Sequence, residues 1–108
     1  MAGLDANSTA EMSFELAEAD DALVVTITGE IDITNVDALE AAVRTALDRG
    51  PRRLIIELGD LRFADSSAIA LWVRWSSSVP AIELRDVSPI LRRVIDSMGL
   101  AETLNVKP

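Results

Sequence analysis

The sequence predicts an α/β fold in which a mixed β-sheet begins with an antiparallel hairpin and the helices pack mainly on one face of the sheet. Three observations lead to this class. Two β-type runs near the start are separated only by a short acidic turn, helical and β-type runs alternate after them, and the last helical run has one apolar face. Strands joined through a helix run parallel and connect by right-handed crossovers. At 108 residues the chain fits one domain.

The hairpin comprises the first two predicted strands. Apolar Met12, Phe14 and Leu16 alternate with polar residues, which is the period of a half-buried strand. The letters EADD then indicate a turn into ALVVTITG. Because this second run is more continuously apolar than the first, we expect it to lie further inside the sheet.

A helix and a central strand follow the hairpin. Thr34 can cap the helix, which stops at Arg49, Gly50 and Pro51. The apolar positions at helical spacing are Val36, Leu39, Val43, Ala46 and Leu47. The next run, RRLIIEL, is almost continuously apolar and predicts a short parallel strand in the middle of the sheet.

Two more helices and one strand complete the prediction. One helix begins after Asp65 and ends at SSSVP, and AIELRDV indicates a strand. In SPILRRVIDSMGL, Ser88 can cap the last helix and Pro89 suits its first turn. Its predicted apolar face comprises Ile90, Leu91, Val94, Ile95 and Met98. We expect AETLNVKP to be a short strand or an irregular end, residues 1–11 to be a flexible tail, and residues 12–108 to be the domain.

The composition narrows the classes of function. Eighteen acidic and ten basic side chains give a formal charge of −8, which disfavours nucleic acid and anionic membranes as partners. The chain has no cysteine and no histidine, so it lacks thiolate metal ligands and the commonest catalytic base. No stretch resembles a membrane span or a secretory signal. We therefore expect a cytoplasmic monomer that uses no cofactor, is not an enzyme, and neither binds nucleic acid nor inserts into membranes.

The stretch LRFADSSAIALW has two readings. Asp65, Ser66 and Ser67 lie between a predicted strand and a helix, so one of them can be an ordinary N-cap worth about 1 kcal/mol. Alternatively, one serine is exposed for phosphorylation, because a phosphate at a helix amino terminus meets backbone N–H donors and the positive end of the dipole. Spacing alone favours the cap.

Three motifs together resemble those of a known family. VVTITGEID ahead of a helix, LIIELGDLRFADSSAIALW, and LRDVSPILRRVIDSMGL follow in the order typical of STAS domains, and more specifically of stand-alone anti-sigma factor antagonists, or anti-anti-sigma factors. The resemblance implies a binding module controlled by phosphorylation. The unmodified protein would bind an anti-sigma factor and free its sigma factor. The anti-sigma factor would also be the serine kinase that phosphorylates the antagonist, and a serine phosphatase would reverse the reaction.

The resemblance also assigns site residues. The phosphorylated position of the family falls on Ser67, and Asp32 matches the acidic residue of a loop beside it. The surroundings assigned to partner binding are Asp32, Thr34, Asp65, Ser66, Ala68 and Trp75. Ala68 stands where the family usually has glycine, which would put a β-carbon in the path of the kinase. The alternative role is that of a constitutive STAS subunit of a lipid-transport ABC complex, with no phosphorylation cycle.

The remaining candidates have ordinary explanations. Trp72 and Trp75 lie one helical turn apart, and we expect at least one of them to lie in the core. Of the two, we expect Trp75 to be the one exposed as an interface anchor. Glu30 and Asp32 are favoured as a solvated loop or a partner contact over a catalytic or metal-binding pair. A serine hydrolase is excluded, because the chain has no histidine to activate Ser67.

Overall fold

A computed structural model describes residues 11–107 of the chain. One sheet contains five strands: β1 (Met12–Ala19), β2 (Ala22–Ile31), β3 (Arg53–Glu57), β4 (Leu61–Ala64) and β5 (Ala81–Arg85). The three helices are α1 (Val36–Leu47), α2 (Ser66–Ser76) and α3 (Pro89–Ser97). The predicted mixed α/β class with an initial antiparallel hairpin is confirmed. Residues 1–10, which make up most of the predicted tail, lie outside the described residues.

The sheet is organised around β2. Strand β1 pairs with it antiparallel, and the order β1-β2-β3-β5 continues with parallel pairs. The first half of β2 pairs with β3, and its end at Gly29–Ile31 pairs with β4, also parallel. Because parallel strands point the same way, β2 and β4 end beside each other at one edge of the sheet.

Strand β4 was not predicted from the sequence. It has only four residues, of which Arg62 and Phe63 are exposed, so it carries neither an apolar run nor a sustained alternation. Its backbone pairing with β2 forms only after Gly59 and Asp60 turn the chain out of β3. The strand is therefore a product of tertiary pairing rather than of local pattern.

Gly29 is the point where β2 changes its neighbour from β3 to β4. The strand register shifts between Gly29 and Glu30, and Gly29 has φ +91°. A β-carbon built there would lie 2.0 Å from the carbonyl oxygen of Glu11. Only glycine fits this close approach of the start of β1, which holds the hairpin against β2.

One face of the sheet is covered by the helices. Along β2 the side chains alternate, so that Leu23, Val25 and Ile27 are buried while Thr26 and Thr28 on the other face are half-exposed. The buried side chains of β2, β3 and β5 form one core cluster with those of all three helices. Among residues 11–107, no helix has the length and apolar character needed to cross a bilayer.

Helix α3 shows its predicted caps but not its predicted apolar face. The Ser88 hydroxyl accepts a hydrogen bond from the Leu91 N–H at 3.2 Å, and Pro89 is the first helical residue. Leu91 and Ile95 are buried, whereas the other apolar side chains of the predicted face are exposed: Ile90 by 76%, Val94 by 41% and Met98 by 49%. The predicted stripe is wider than the contact that one helix makes with the sheet. Beyond the helix, the chain forms turns and one bridge from Val106 to Leu84.

Candidate functional site

Two short loops meet at the edge where β2 and β4 end. Ile31 and Ala64 are strand partners, and the Asp65 N–H donates to the Ile31 carbonyl oxygen at 3.2 Å. Asp32 follows Ile31, as Asp65 follows Ala64. The structure thus brings the Asp32 loop beside the Asp-Ser-Ser turn, in the arrangement that the family resemblance implied.

Asp65 is the N-cap of α2. Its Oδ1 accepts a hydrogen bond from the Ser67 N–H at 2.9 Å and another from the Ser67 hydroxyl. Ser66 is exposed and Ser67 is half-buried. Because one side chain satisfies the cap, neither serine is required for it. The same carboxylate holds the Ser67 oxygen in a defined position at the start of the helix.

The Asp32 loop repeats this geometry one strand away. Asp32 Oδ1 accepts a hydrogen bond from the Thr34 N–H at 2.9 Å and another from the Thr34 hydroxyl. These bonds, first that of the hydroxyl and then that of the amide, hold the pKa of the Asp32 carboxyl below its ordinary value. The loop therefore presents a carboxylate that stays charged at neutral pH.

Thr34 does not cap α1, so that prediction is wrong. The helix begins at Val36 after Asn35, and the Thr34 hydroxyl is engaged by Asp32 instead. Asn35 is buried, where its Oδ1 accepts from the Asp32 N–H at 3.0 Å and its Nδ2 donates to the Glu30 carbonyl oxygen at 2.9 Å. Asn35, which was not among the predicted site residues, is the side chain that holds this loop. Its signal was an asparagine directly before an apolar helical run.

Ala68 faces the core rather than a partner. It is 0% exposed, and it belongs to the same core cluster as Ile69 and Leu71. The expectation that its β-carbon meets an approaching kinase is therefore wrong. The fourth residue of the Asp-Ser-Ser-Ala turn already points inward, because α2 turns its apolar side to the sheet within its first turn.

Trp75 is not exposed, contrary to the prediction. It is 0% exposed, and its Nε1 donates to Oε1 of Glu40 on α1. This carboxylate also accepts from Arg44 Nε at 2.9 Å. The indole is buried because its polar nitrogen finds a charged acceptor on the neighbouring helix, so the cost of desolvating the N–H is offset. Trp75 ties α2 to α1 and cannot contact a partner directly.

The acidic pair Glu30 and Asp32 does not converge on a metal site. Among residues 11–107 no three side chains of histidine, cysteine, aspartate or glutamate are grouped so as to hold a metal ion. Glu30 instead lies 3.6 Å from Arg62, which is also 3.7 Å from Glu11. The loop is thus a charged surface at the sheet edge.

An apolar groove, which was not predicted from the sequence, adjoins this edge. It lies between β4 and α3, encloses about 430 Å³, and is named here the β4–α3 groove. Its apolar lining is Leu61, Phe63, Ala64, Ile90, Leu91 and Val94. Phe63 is 52% exposed and precedes the N-cap Asp65 by two residues. The signal available in the sequence was the excess of apolar residues on α3 beyond what one helix face can bury.

Comparison with known proteins gives matches along almost all of the described chain. A family model described as "Mlab, STAS domain" matches residues 14–106. A curated relative is BtrV of Bordetella bronchiseptica, which is described as a candidate anti-sigma factor antagonist. It is 23% identical over 92 residues, with 82% of this chain and 79% of BtrV covered.

Solved structures agree with this match. An anti-sigma factor antagonist from Mycobacterium paratuberculosis superposes with a TM-score of 0.82 at 25% identity, covering 90% of this chain and 86% of that one. The anti-sigma factor antagonist SpoIIAA in its unphosphorylated form gives 0.74 at 25% identity, with 89% of each chain covered. The phosphorylated form of SpoIIAA from Bacillus, described as a cell fate determinant, gives 0.68 at 25% identity, with 89% of this chain and 92% of that chain covered.

Proposed function

Because the chain belongs to the STAS domain family, we propose that this protein is an anti-sigma factor antagonist whose activity is switched off by phosphorylation of Ser67. In its unmodified form it binds an anti-sigma factor and thereby frees the sigma factor that this partner holds. The partner is also the serine kinase that modifies Ser67. A serine phosphatase restores the active form.

The observation that carries this proposal is the state of the Ser67 hydroxyl. It stands at the first turn of α2, half-buried, with its proton directed to Asp65 and the Asp32 loop beside it. The cap of the helix is supplied by Asp65, so Ser67 is available for another role. That SpoIIAA was solved in both unphosphorylated and phosphorylated forms supports a phosphorylation switch on this fold.

For the transfer of phosphate from ATP to Ser67, this chain needs to supply only a positioned hydroxyl group. Ser67 Oγ attacks the γ-phosphorus of an ATP held by the kinase, the bond from that phosphorus to the β-γ bridging oxygen breaks, and ADP leaves. The hydroxyl proton passes to a base of the kinase, which also supplies the Mg²⁺ ligands. Asp65 orients the attacking oxygen before the kinase arrives. We therefore propose that the protein is a substrate and a binding module rather than an enzyme.

The added phosphate acts through charge. It carries about −1.5 to −2 units at neutral pH and would lie beside the carboxylates of Asp65 and Asp32. A partner surface that accepts two carboxylates must then accommodate roughly twice the negative charge, so close contact is opposed. The amino end of α2 offsets part of this charge through its dipole, so the fold remains intact. We propose that the cycle runs in the cytoplasm with the protein as a monomer.

The test is phosphorylation by purified anti-sigma factor kinases from the same cell, with ATP and mapping by mass spectrometry. Wild type and Ser66→Ala should each gain one phosphate on Ser67, whereas Ser67→Ala should gain none. Unmodified protein and Ser67→Ala should bind the kinase, and Ser67→Asp should bind it at least about tenfold more weakly. Phosphate on another residue, or no transfer with any of these kinases, would contradict the switch.

The alternative role in a lipid-transport complex predicts a different partner and no effect of a charge at Ser67. A constitutive subunit of an ABC complex should co-purify with an ATPase subunit in a stable complex and should be indifferent to Ser67→Asp. Co-purification of that kind, together with no binding to any anti-sigma factor, would replace the proposal with the alternative.

A further inference from the structure

The exposed apolar side chains of this protein gather beside the proposed phosphorylation site. Among residues 11–107 the large apolar side chains with substantial exposure are Leu16, Ile33, Phe63, Ile90, Val94 and Met98. Phe63, Ile90 and Val94 line the β4–α3 groove, Met98 is the C-cap of α3, and Ile33 lies in the Asp32 loop. Leu16, on β1, is the exception. A concentration of exposed apolar side chains of this kind is the usual mark of an interaction surface.

The groove is continuous with the site through the backbone of β4. Phe63 pairs with Glu30 across the strands, and the chain then passes through Ala64 to the cap residue Asp65. A partner that reaches Ser67 from the solvent thus has the groove directly beside it. The groove is also large enough, at about 430 Å³, to take side chains from a docked segment.

The charges around the groove indicate the charge of the segment that would bind in it. Asp32 and Asp65 receive hydrogen bonds from hydroxyl and amide donors, not from cations, so their charges are not neutralised within the described residues. Arg62 lines the groove and is shared between the carboxylates of Glu11 and Glu30. On α3, the Arg92 guanidinium donates to the Lys107 carbonyl oxygen, and Arg93 and Asp96 are opposite in sign. The carboxylates without a cationic partner among the described residues thus lie at the Asp65 end of the groove, where the local charge is negative. A basic segment complements it.

On the basis of the proposed function, we infer that the β4–α3 groove is the docking site for an apolar segment of the anti-sigma factor kinase flanked by basic side chains. Phe63, Ile90 and Val94 contact the apolar part, and Asp32 and Asp65 face the basic part. A kinase bound in the groove would lie next to Ser67. A second copy of this chain is disfavoured as occupant, because it carries a charge of −8 and would bring acid against acid.

The test compares groove variants with a matched control in binding to the purified kinase with ADP, by calorimetry. Phe63→Ser, Ile90→Ser and their combination alter exposed positions, so each should retain the wild-type circular dichroism and thermal midpoint within a few degrees. We expect each single variant to weaken binding about tenfold and the pair to weaken it further. Leu16→Ser, an apolar-to-polar change at the other exposed site, should change affinity less than about twofold.

Two further measurements separate docking from the phosphorylation chemistry. In kinase assays the groove variants should raise KM for this protein without lowering kcat, because Ser67 and Asp65 are unaltered. Rising salt should weaken wild-type binding, and the groove variants should keep the same salt dependence, because the basic contacts are intact.

The outcomes distinguish the groove from the proposed function. If wild type binds the kinase but the groove variants bind equally well, the groove inference is wrong and the proposed function stands. If wild type itself binds no anti-sigma factor kinase, the proposed function fails and the inference fails with it. If the groove variants convert a wild-type dimer to a monomer while binding the kinase normally, the occupant is a second copy and the inference is again wrong.

Discussion

At the scale of single residues, the site rests on two aspartates that perform the same task. Asp65 and Asp32 each accept a hydrogen bond from the amide and another from the hydroxyl two residues ahead, in Ser67 and Thr34 respectively. Each carboxylate thereby fixes a hydroxyl at a strand end. In the proposed switch the first carboxylate positions the hydroxyl, and both contribute the charge that makes an added phosphate incompatible with the partner.

The position after the serines gives a residue-scale prediction. Ala68→Gly restores the residue usual in the family but removes a buried methyl group from the first turn of α2. We expect it to lower the free energy of unfolding by about 1–2 kcal/mol, from lost burial and the entropy of glycine. It should leave affinity for the anti-sigma factor kinase unchanged, because the β-carbon faces the core.

Chemical denaturation measures the change in the free energy of unfolding of Ala68→Gly, and calorimetry measures its affinity for the anti-sigma factor kinase. Ala70→Gly is the matched control, because Ala70 is exposed on the same helix and loses only the glycine entropy. Tighter binding by Ala68→Gly would mean that the alanine does impede the partner.

At the scale of elements, α1 and α2 are joined by a charged contact as well as by packing. Glu40 accepts hydrogen bonds from Trp75 on α2 and from Arg44 on its own helix. Desolvation acts to raise the pKa of the Glu40 carboxyl, but the hydrogen bonds from Arg44 and Trp75 and the attraction of Arg44 and Arg74 outweigh it, so the pKa is lowered. This contact holds α2, which begins at Ser66 and carries Ser67 in its first turn, against α1.

The lowered pKa sets the direction of the pH dependence. A carboxyl whose folded pKa is below its unfolded value stabilises the fold above the unfolded pKa, and this contribution is lost as the pH falls through the folded pKa. The ordinary value for Glu40 is 4.5. The free energy of unfolding of wild type should therefore exceed that of Glu40→Gln by a constant amount well above pH 4.5, and the difference should shrink below it.

Denaturant unfolding across this pH range checks the prediction. Glu40→Ala should lower the free energy of unfolding by about 1–3 kcal/mol, because it leaves the buried Trp75 N–H without an acceptor. This loss should exceed that of Glu40→Gln. Glu102→Gln, at an exposed position, is the control and should show little difference at any pH. A wild-type advantage over Glu40→Gln that grows as the pH falls would contradict this sign.

At the scale of the whole molecule, the dominant feature is the excess of negative charge. A formal charge of −8 on 108 residues makes the folded chain repel itself. The ion pairs that oppose this repulsion join partly exposed side chains, such as Arg49 with Glu18, and such pairs contribute about 0–1 kcal/mol each. Self-repulsion is therefore the larger of the two effects that salt will screen.

We accordingly expect added salt to stabilise the protein. Raising the sodium chloride concentration should raise the midpoint of thermal unfolding by a few degrees, because screening relieves the repulsion between carboxylates. Glu102→Lys reduces the negative excess at an exposed position and should show a smaller response to salt. A midpoint that falls with salt would mean that the ion pairs outweigh the repulsion.

Much of the fold was predictable because its signals are local. The hairpin, the three helices and the Ser88 cap follow from alternation, helical spacing and capping residues, each of which acts over a few neighbours along the chain. Strand β4 was missed because its stability comes from pairing with β2, to which it is adjacent only in the folded molecule. The position of Asp65 and Ser67 at a helix start made them candidates, but the choice of Ser67 as the phosphorylated residue and of Asp32 as its neighbour came from a resemblance in motif.

By itself, the sequence determined the α/β class, the order of most elements, the acidic charge, and the resemblance that singles out Ser67. Only the tertiary structure decided that Asp65 rather than a serine caps α2, that Ala68 and Trp75 are buried, and that Phe63, Ile90 and Val94 remain exposed beside the site. The physical reason is that periodicity shows which side of an element is apolar, whereas burial depends on what packs against that side. On α3 the apolar side is wider than the sheet can cover, and the uncovered part forms the β4–α3 groove.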